Sequence, residues 1–225
     1  MRVWSVLGQK GGTGKTTLVL HLAIAAMAKG LVTSVIDLDP QRSAEQWSDM
    51  REKTGAQEPP IVHGTPNSLG EMLAAARATG SELVLVDTPP LIDKTLIFAA
   101  EAADLIVVPS RVSILDQLAL SETLRVLEAM QALRKTVVVF NAVSADKQAK
   151  AEMAKIVKSA ARNFDVPIVS IAVEDRGEFR HALSLGKGVT ESAPRGAAAK
   201  ELQALYRLLC QWDRKFAQPK RRVPA

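Results

Sequence analysis

The tract Gly8-Gln9-Lys10-Gly11-Gly12-Thr13-Gly14-Lys15-Thr16-Thr17 limits the folds open to this chain more than any other stretch. It follows an apolar run, Val3 to Leu7, and leads into a longer apolar stretch from residue 15, so it reads as strand, glycine-rich turn and helix. Glycines let backbone N–H groups turn inward around anionic oxygens, and the start of a helix adds partial positive charge. Lys15 is then placed to reach the β and γ phosphates of a nucleotide, and Thr16 to ligate Mg²⁺ through its hydroxyl. Gly11, Gly12, Thr13, Gly14 and Thr17 complete the cradle. A turn of purely structural use gives no packing reason for Gly-Lys-Thr at a helix start.

The rest of the chain supplies the sheet such a loop needs. Short runs rich in Val, Ile and Leu predict strands at Val3 to Leu7, Thr33 to Asp37, Leu83 to Asp87, Leu105 to Pro109, Thr136 to Asn141 and Pro167 to Ile171. Helices are predicted between them, near 15–29, 43–53, 67–78, 94–102, 115–133, 147–163 and 196–213. Continuous apolar strands alternating with helices imply an α/β protein: a mostly parallel twisted sheet with helices on both faces, of P-loop NTPase type. No repeat or Pro/Gly/Ser linker divides the chain, so residues 1–213 are expected to form one P-loop domain, followed by a flexible basic tail over 214–225. Gly55 to Pro66, with three prolines, reads as a surface loop. With a strand predicted from residue 3, no helix-turn-helix module is expected ahead of it.

Two further strand ends carry carboxylates. Val35-Ile36-Asp37-Leu38-Asp39-Pro40-Gln41 closes the second strand, and Leu83-Val84-Leu85-Val86-Asp87-Thr88-Pro89-Pro90 is an apolar strand ending in Asp87. A bare Asp-x-Asp at a strand end is often no more than a helix-capping turn. A general P-loop carries glycine five residues before Gly14; here that position is Gln9, and a second lysine, Lys10, follows it.

These residues resemble the deviant Walker A box of the ParA/MinD superfamily, Lys-Gly-Gly-x-Gly-Lys-Thr. The resemblance implies an Mg-dependent ATPase with ATP and Mg²⁺ as cofactors, in which Lys10 reaches across a nucleotide-sandwiched homodimer to the partner's phosphates, as an arginine finger does elsewhere. It implies that Asp39 positions the attacking water, that Asp37 and Asp87 serve the metal's outer sphere, that Thr88-Pro89-Pro90 senses the γ phosphate, and that Asn141 contacts the adenine base. Lys10, Lys15 and Asp39 are thus the expected catalytic residues. The chain looks most like small ParA partition ATPases without a DNA-reading N-terminal domain, and Gln9 favours these over MinD-like members. With one cysteine, Cys210, the chain lacks the ligands of the superfamily's iron–sulfur carriers.

The net charge of +5 comes from 29 Lys and Arg against 24 Asp and Glu, and the excess lies in Arg214, Lys215, Lys220, Arg221 and Arg222. A second basic surface is hidden in the neutral body. At the helical spacing of about 100° per residue, Lys147, Lys150, Lys155, Lys158 and Arg162 share an arc of about 140°, while Met153, Ile156 and Val157 point elsewhere. The bland reading is a solvated face. The sharper one, which the resemblance favours, is non-specific contact with DNA phosphates in the ATP-bound form.

Leu202, Leu205, Leu208, Leu209, Trp212 and Phe216 recur at helical spacing before the basic tail. The stripe fits either a membrane-surface helix or, as expected here, a helix covering the sheet. No apolar run reaches the roughly 20 residues of a membrane span, and no signal peptide is apparent, so a cytoplasmic protein is expected; the resemblance implies that it is bacterial and nucleoid-associated. The expected function, as the resemblance implies it, is a DNA-binding, dimerising ATPase that partitions a plasmid or chromosome, with a ParB-type centromere-binding partner. The alternatives are a MinD-like membrane-positioning ATPase and a metabolic P-loop ligase or kinase.

Overall fold

The computed structural model describes residues 1–168 and 172–217. Six strands, β1 (Arg2–Val6), β2 (Thr33–Asp37), β3 (Ile61–His63), β4 (Leu83–Asp87), β5 (Leu105–Ser110) and β6 (Thr136–Phe140), pair in parallel in the order β3-β2-β4-β1-β5-β6. The helices are α1 (Lys15–Met27), α2 (Ser43–Glu52), α3 (Leu69–Ala78), α4 (Lys94–Ala102), α5 (Ile114–Ala129), α6 (Lys147–Asn163), α7 (Gly177–Ser184), α8 (Val189–Ser192) and α9 (Ala197–Ala217). This is the α/β architecture expected from the alternating pattern.

Strand burial explains the composition. Every residue of β2, β4, β5 and β6 is buried, because apolar cores lie on both faces of the sheet. One face packs Trp4, Val6, Leu83, Leu85, Val107 and Val139 against α1, α2, α7, α8 and α9. The other packs Ile106, Val108, Val138 and Phe140 against α4, α5 and α6, and Val84 and Val86 against α3 and α4. Side-chain caps start three helices: Asp93 accepts from Thr95 N, Ser113 from Asp116 N, and Asp146 from Ala149 N.

Several boundaries differ from the sequence expectation. The Gly55 to Pro66 loop contains β3, three residues that add a parallel edge strand to β2. The strand expected over Pro167 to Ile171 is represented by a bridge of Ile168 to Val138; residues 169–171 lie outside the described residues. α7 and α8 were not expected at all; they are short and lack a long periodic pattern. α9 continues through Ala217, so Arg214 and Lys215 are helical, and the rest of the expected tail, with Lys220, Arg221 and Arg222, lies outside the described residues.

The strand order positions the site. β4 inserts between β2 and β1 with Asp87 in register with both Asp37 and Val6. Three segments far apart in sequence therefore leave the sheet side by side at its carboxyl edge, the edge where open α/β sheets bind ligands.

Candidate functional site

β1 delivers the glycine tract to this edge. Gly12 and Gly14 hold φ of +75° and +86°, left-handed values that glycine takes without a Cβ clash. Gly14 stands at the start of α1 with no side chain capping the helix, so the first-turn N–H groups face the loop. Lys15 is only 7% exposed, and its Nζ donates to the Lys10 carbonyl at 3.1 Å. Burial lowers its pKa, while Asp87 and Asp39 oppose that shift. The loop is thus a concave array of donors with a buried cation at its base, shaped for a polyanion.

β4 delivers Asp87, which is fully buried. One carboxylate oxygen accepts from the Thr16 hydroxyl at 2.5 Å, while Oδ1 is buried with no hydrogen-bond partner among the described residues. Burial pushes the Asp87 carboxyl up to about 7, the Thr16 bond acting against this and nearby Asp37 adding to it. A buried carboxylate with one free oxygen beside a threonine hydroxyl is a donor set suited to a hard cation. Thr88, next along, anchors the following turn by donating to the Val6 carbonyl at 3.1 Å. Pro90 then lies over Gly11, 3.8 Å from where a Cβ there would stand.

β2 delivers Asp37 and Asp39, and the two differ. Asp37 is fully buried and accepts from the backbone N–H groups of Asp39 at 3.0 Å, Ala44 at 3.0 Å and Glu45 at 3.4 Å. Burial raises its pKa, and those three bonds restrain the rise. Asp37 therefore does the work of a helix-capping turn: it pins the first turn of α2 and the loop carrying Asp39. Asp39 is half-exposed and accepts from Gln41 N at 2.9 Å.

Lys10 sits apart from Lys15. Its Nζ lies 2.6 Å from Asp116 Oδ1, and Asp116 is buried at the start of α5. The Ser113 hydroxyl donates to the other oxygen of Asp116. Burial favours the neutral acid, but the Lys10 and Ser113 contacts outweigh it and hold the Asp116 carboxyl below the ordinary range. Sequence reasoning did not single out Asp116; the Ser113-x-x-Asp116 capping pattern marks the helix start but not the lysine. Gln9, where a general P-loop has glycine, bonds to Glu122, and its N–H donates to Thr123 Oγ1 at 3.3 Å. Three aliphatic side chains around Asp116 on α5, Ile114, Leu115 and Leu118, are 61% to 66% exposed.

Asn141, at the end of β6, is brought to the same loop, with its side-chain amide donating to the Thr13 carbonyl at 2.8 Å. The five α6 cations, Lys147, Lys150, Lys155, Lys158 and Arg162, are all exposed, while Ala149, Ile156 and Ala160 of that helix are buried. Lys150 lies 3.9 Å from Glu174. On α9, Leu202, Leu205 and Leu209 are completely buried against the sheet, and Leu208, Trp212 and Phe216 pack on the same core. The stripe is therefore used within the fold, against the sheet. Among the described residues no helix is long and apolar enough to cross a membrane.

A parallel sheet with a glycine-rich loop between β1 and α1, and acidic residues at the ends of β2 and β4, defines a P-loop nucleotide-binding protein. Residues 4–189 match the family described as the CobQ/CobB/MinD/ParA nucleotide binding domain, and the chain belongs to that family as a ParA/MinD-type ATPase. It is 25% identical over 201 residues to Maintenance of carboxysome distribution protein A of Halothiobacillus neapolitanus, covering 88% of this chain and 90% of the relative. It is 31% identical over 131 residues to the chromosome-partitioning ATPase Soj of Thermus thermophilus, covering 47% and 53%. The fold superposes on the septum site-determining protein MinD of Pyrococcus horikoshii, solved with Mg-ADP, with a TM-score of 0.72 at 15% identity, covering 97% and 99%.

Proposed function

We propose that this protein is an ATP-gated, self-associating ATPase whose ATP-bound form holds DNA non-specifically and positions a plasmid or chromosome along it. The observation that carries the reading is the division of labour between two lysines on one loop. Lys15 is buried under the loop and serves the phosphates bound by its own subunit. Lys10 is one-third exposed at the loop's mouth and can leave Asp116 for the phosphates held by a second copy. There it supplies a cation to the developing charge of phosphoryl transfer. The exposed Ile114, Leu115 and Leu118 support a second copy at this rim, since clustered apolar side chains beside a site favour association.

Phosphates fit the glycine loop, with Gly11 to Gly14, Lys15, Thr16 and Thr17 as their donors. Mg²⁺ fits the same place: the Thr16 hydroxyl and the unpartnered Asp87 Oδ1 are hard oxygen donors, and this ion is held by few protein groups besides phosphate. When bound it supplies neutralisation of phosphate charge. Asp87 holds that side of the site through its ionised form. Asp37 adds charge and keeps the Asp39 loop fixed, and Asp39, open to solvent, orients the attacking water. The turn over Gly11 that begins at Thr88 responds to the γ phosphate. A contact of Asn141 with the adenine base, beside its bond to the Thr13 carbonyl, completes the reading.

The exposed cationic face of α6 carries the DNA contact, through phosphates alone. Hydrolysis separates the two copies and with them the paired basic surfaces, and a partner of ParB type stimulates that step. A second reading, with a carboxysome as cargo, is favoured by the relative of that name matching 88% of this chain. Both readings share the ATP-gated DNA contact. The test is DNA retention at about 0.15 M salt with no nucleotide, ADP or a non-hydrolysable ATP analogue. Retention with the analogue alone is expected; equal retention in all three states rejects the switch.

A further inference from the structure

Asn141 is buried, 6% exposed, and held from both sides. Its own N–H donates to the Ser110 carbonyl at 2.9 Å, extending the β5–β6 ladder by one bond. The next residue, Ala142, takes a left-handed φ of +51°, unusual for a residue with a Cβ, and Val143 N then donates to Val173 O at 3.0 Å. This fixed turn aims the Asn141 amide at the glycine tract. The atom facing the Thr13 carbonyl must be the nitrogen, because a carbonyl only accepts. The approach is close: a Cβ on Gly14 would stand 2.2 Å from Asn141 Nδ2. Gly14 itself has φ of +86° and begins α1.

From this geometry we infer that Asn141 is a positioning residue for the phosphate loop: its amide bond to the Thr13 carbonyl fixes the Thr13–Gly14 turn, and so phosphate affinity, whatever the base. The bond satisfies a carbonyl that would otherwise be buried without a partner, and the left-handed turn beside it aims the first N–H groups of α1. The role rests on the reading that this loop takes phosphates, and it is separate from any contact of Asn141 with a base. It also accounts for Gly14 twice, through its φ and through the space the amide occupies. Removing the amide frees a turn that no other side chain caps.

The test compares the wild type with Asn141→Ala and Asn141→Asp. The aspartate keeps the side-chain shape but sets an oxygen against the Thr13 carbonyl. Two measurements are made: affinities for ATP, GTP and inorganic tripolyphosphate, each with Mg²⁺, and hydrogen exchange of the Leu18 amide in the nucleotide-free protein. Leu18 N donates to Gly14 O at 2.9 Å, so its exchange reports the turn directly. The expected result is about tenfold weaker tripolyphosphate binding and about tenfold faster Leu18 exchange in both variants. Unchanged tripolyphosphate affinity and unchanged Leu18 exchange, with only the preference for ATP over GTP lost, would overturn the inference. If the alanine variant unfolds, the aspartate decides. If the wild type binds none of the three ligands, the nucleotide reading fails, and Leu18 exchange still decides the positioning role.

Discussion

Asp87 is the residue where the needs of the fold and of the site conflict. Its carboxyl is raised from 3.8 to about 7, so the nucleotide-free protein gains stability from it below about pH 4 and loses that gain as pH rises through about 7. Asp87→Asn removes the buried charge while keeping its shape. The variant is expected to exceed the wild type in unfolding free energy by about 1–3 kcal/mol at pH 8, the difference shrinking toward pH 5. Thermal unfolding across that range checks it, and Mg-dependent hydrolysis should be lost. A difference independent of pH would refute the raised pKa. Asp87, Lys15, Thr16 and Asp37 were legible in the sequence because each belongs to a short motif attached to a strand end. Asp116 was not, since its contact with Lys10 spans 106 positions and no local spacing announces it. The Asp-x-Asp box was legible as a site but not in its division: only the hydrogen bonds from Asp39, Ala44 and Glu45 show Asp37 holding the loop.

At the scale of elements, α6 and α9 differ in what their amphipathic pattern is for. The apolar stripe of α9 is consumed by the core, and Leu205, completely buried, is expected to cost about 3 kcal/mol of stability as Leu205→Ala. A fall in denaturant midpoint with unchanged slope measures this; a change under about 1 kcal/mol would mean α9 does not cover the sheet as described. The cations of α6 face outward. Changing Lys150, Lys155 and Lys158 together to Glu should leave the denaturant midpoint nearly unchanged yet weaken DNA retention at least about tenfold at 0.15 M salt. Retention equal to the wild type would place the DNA surface elsewhere. Elements that a periodic pattern spans, such as α4 and α6, were read with the bounds observed. β3, three residues beyond Pro59-Pro60, and α7 and α8, of eight and four residues, are too short for a period. They are held by distant contacts: Arg51 of α2 pairs with Glu191 of α8 at 2.8 Å, and buried His21 of α1 bonds to Phe179 O and Val189 N.

For the whole molecule, the strand order makes the motifs one site, and that order was not readable from the strands themselves. A chain with strands in sequential order would separate Asp87 from the glycine loop; inserting β4 between β2 and β1 joins them. The same edge carries Lys10, Asp116 and the exposed aliphatics of α5, and in the proposed function this rim closes on a second copy when ATP is bound. Molar mass by light scattering, with nucleotide occupancy measured on the same sample, tests this most directly. Wild-type protein should double its mass with Mg²⁺ and a non-hydrolysable ATP analogue but not with ADP. Lys10→Ala should stay a monomer while binding the analogue within about threefold of wild-type affinity. A Lys10→Ala protein that dimerises as fully as the wild type would contradict the account.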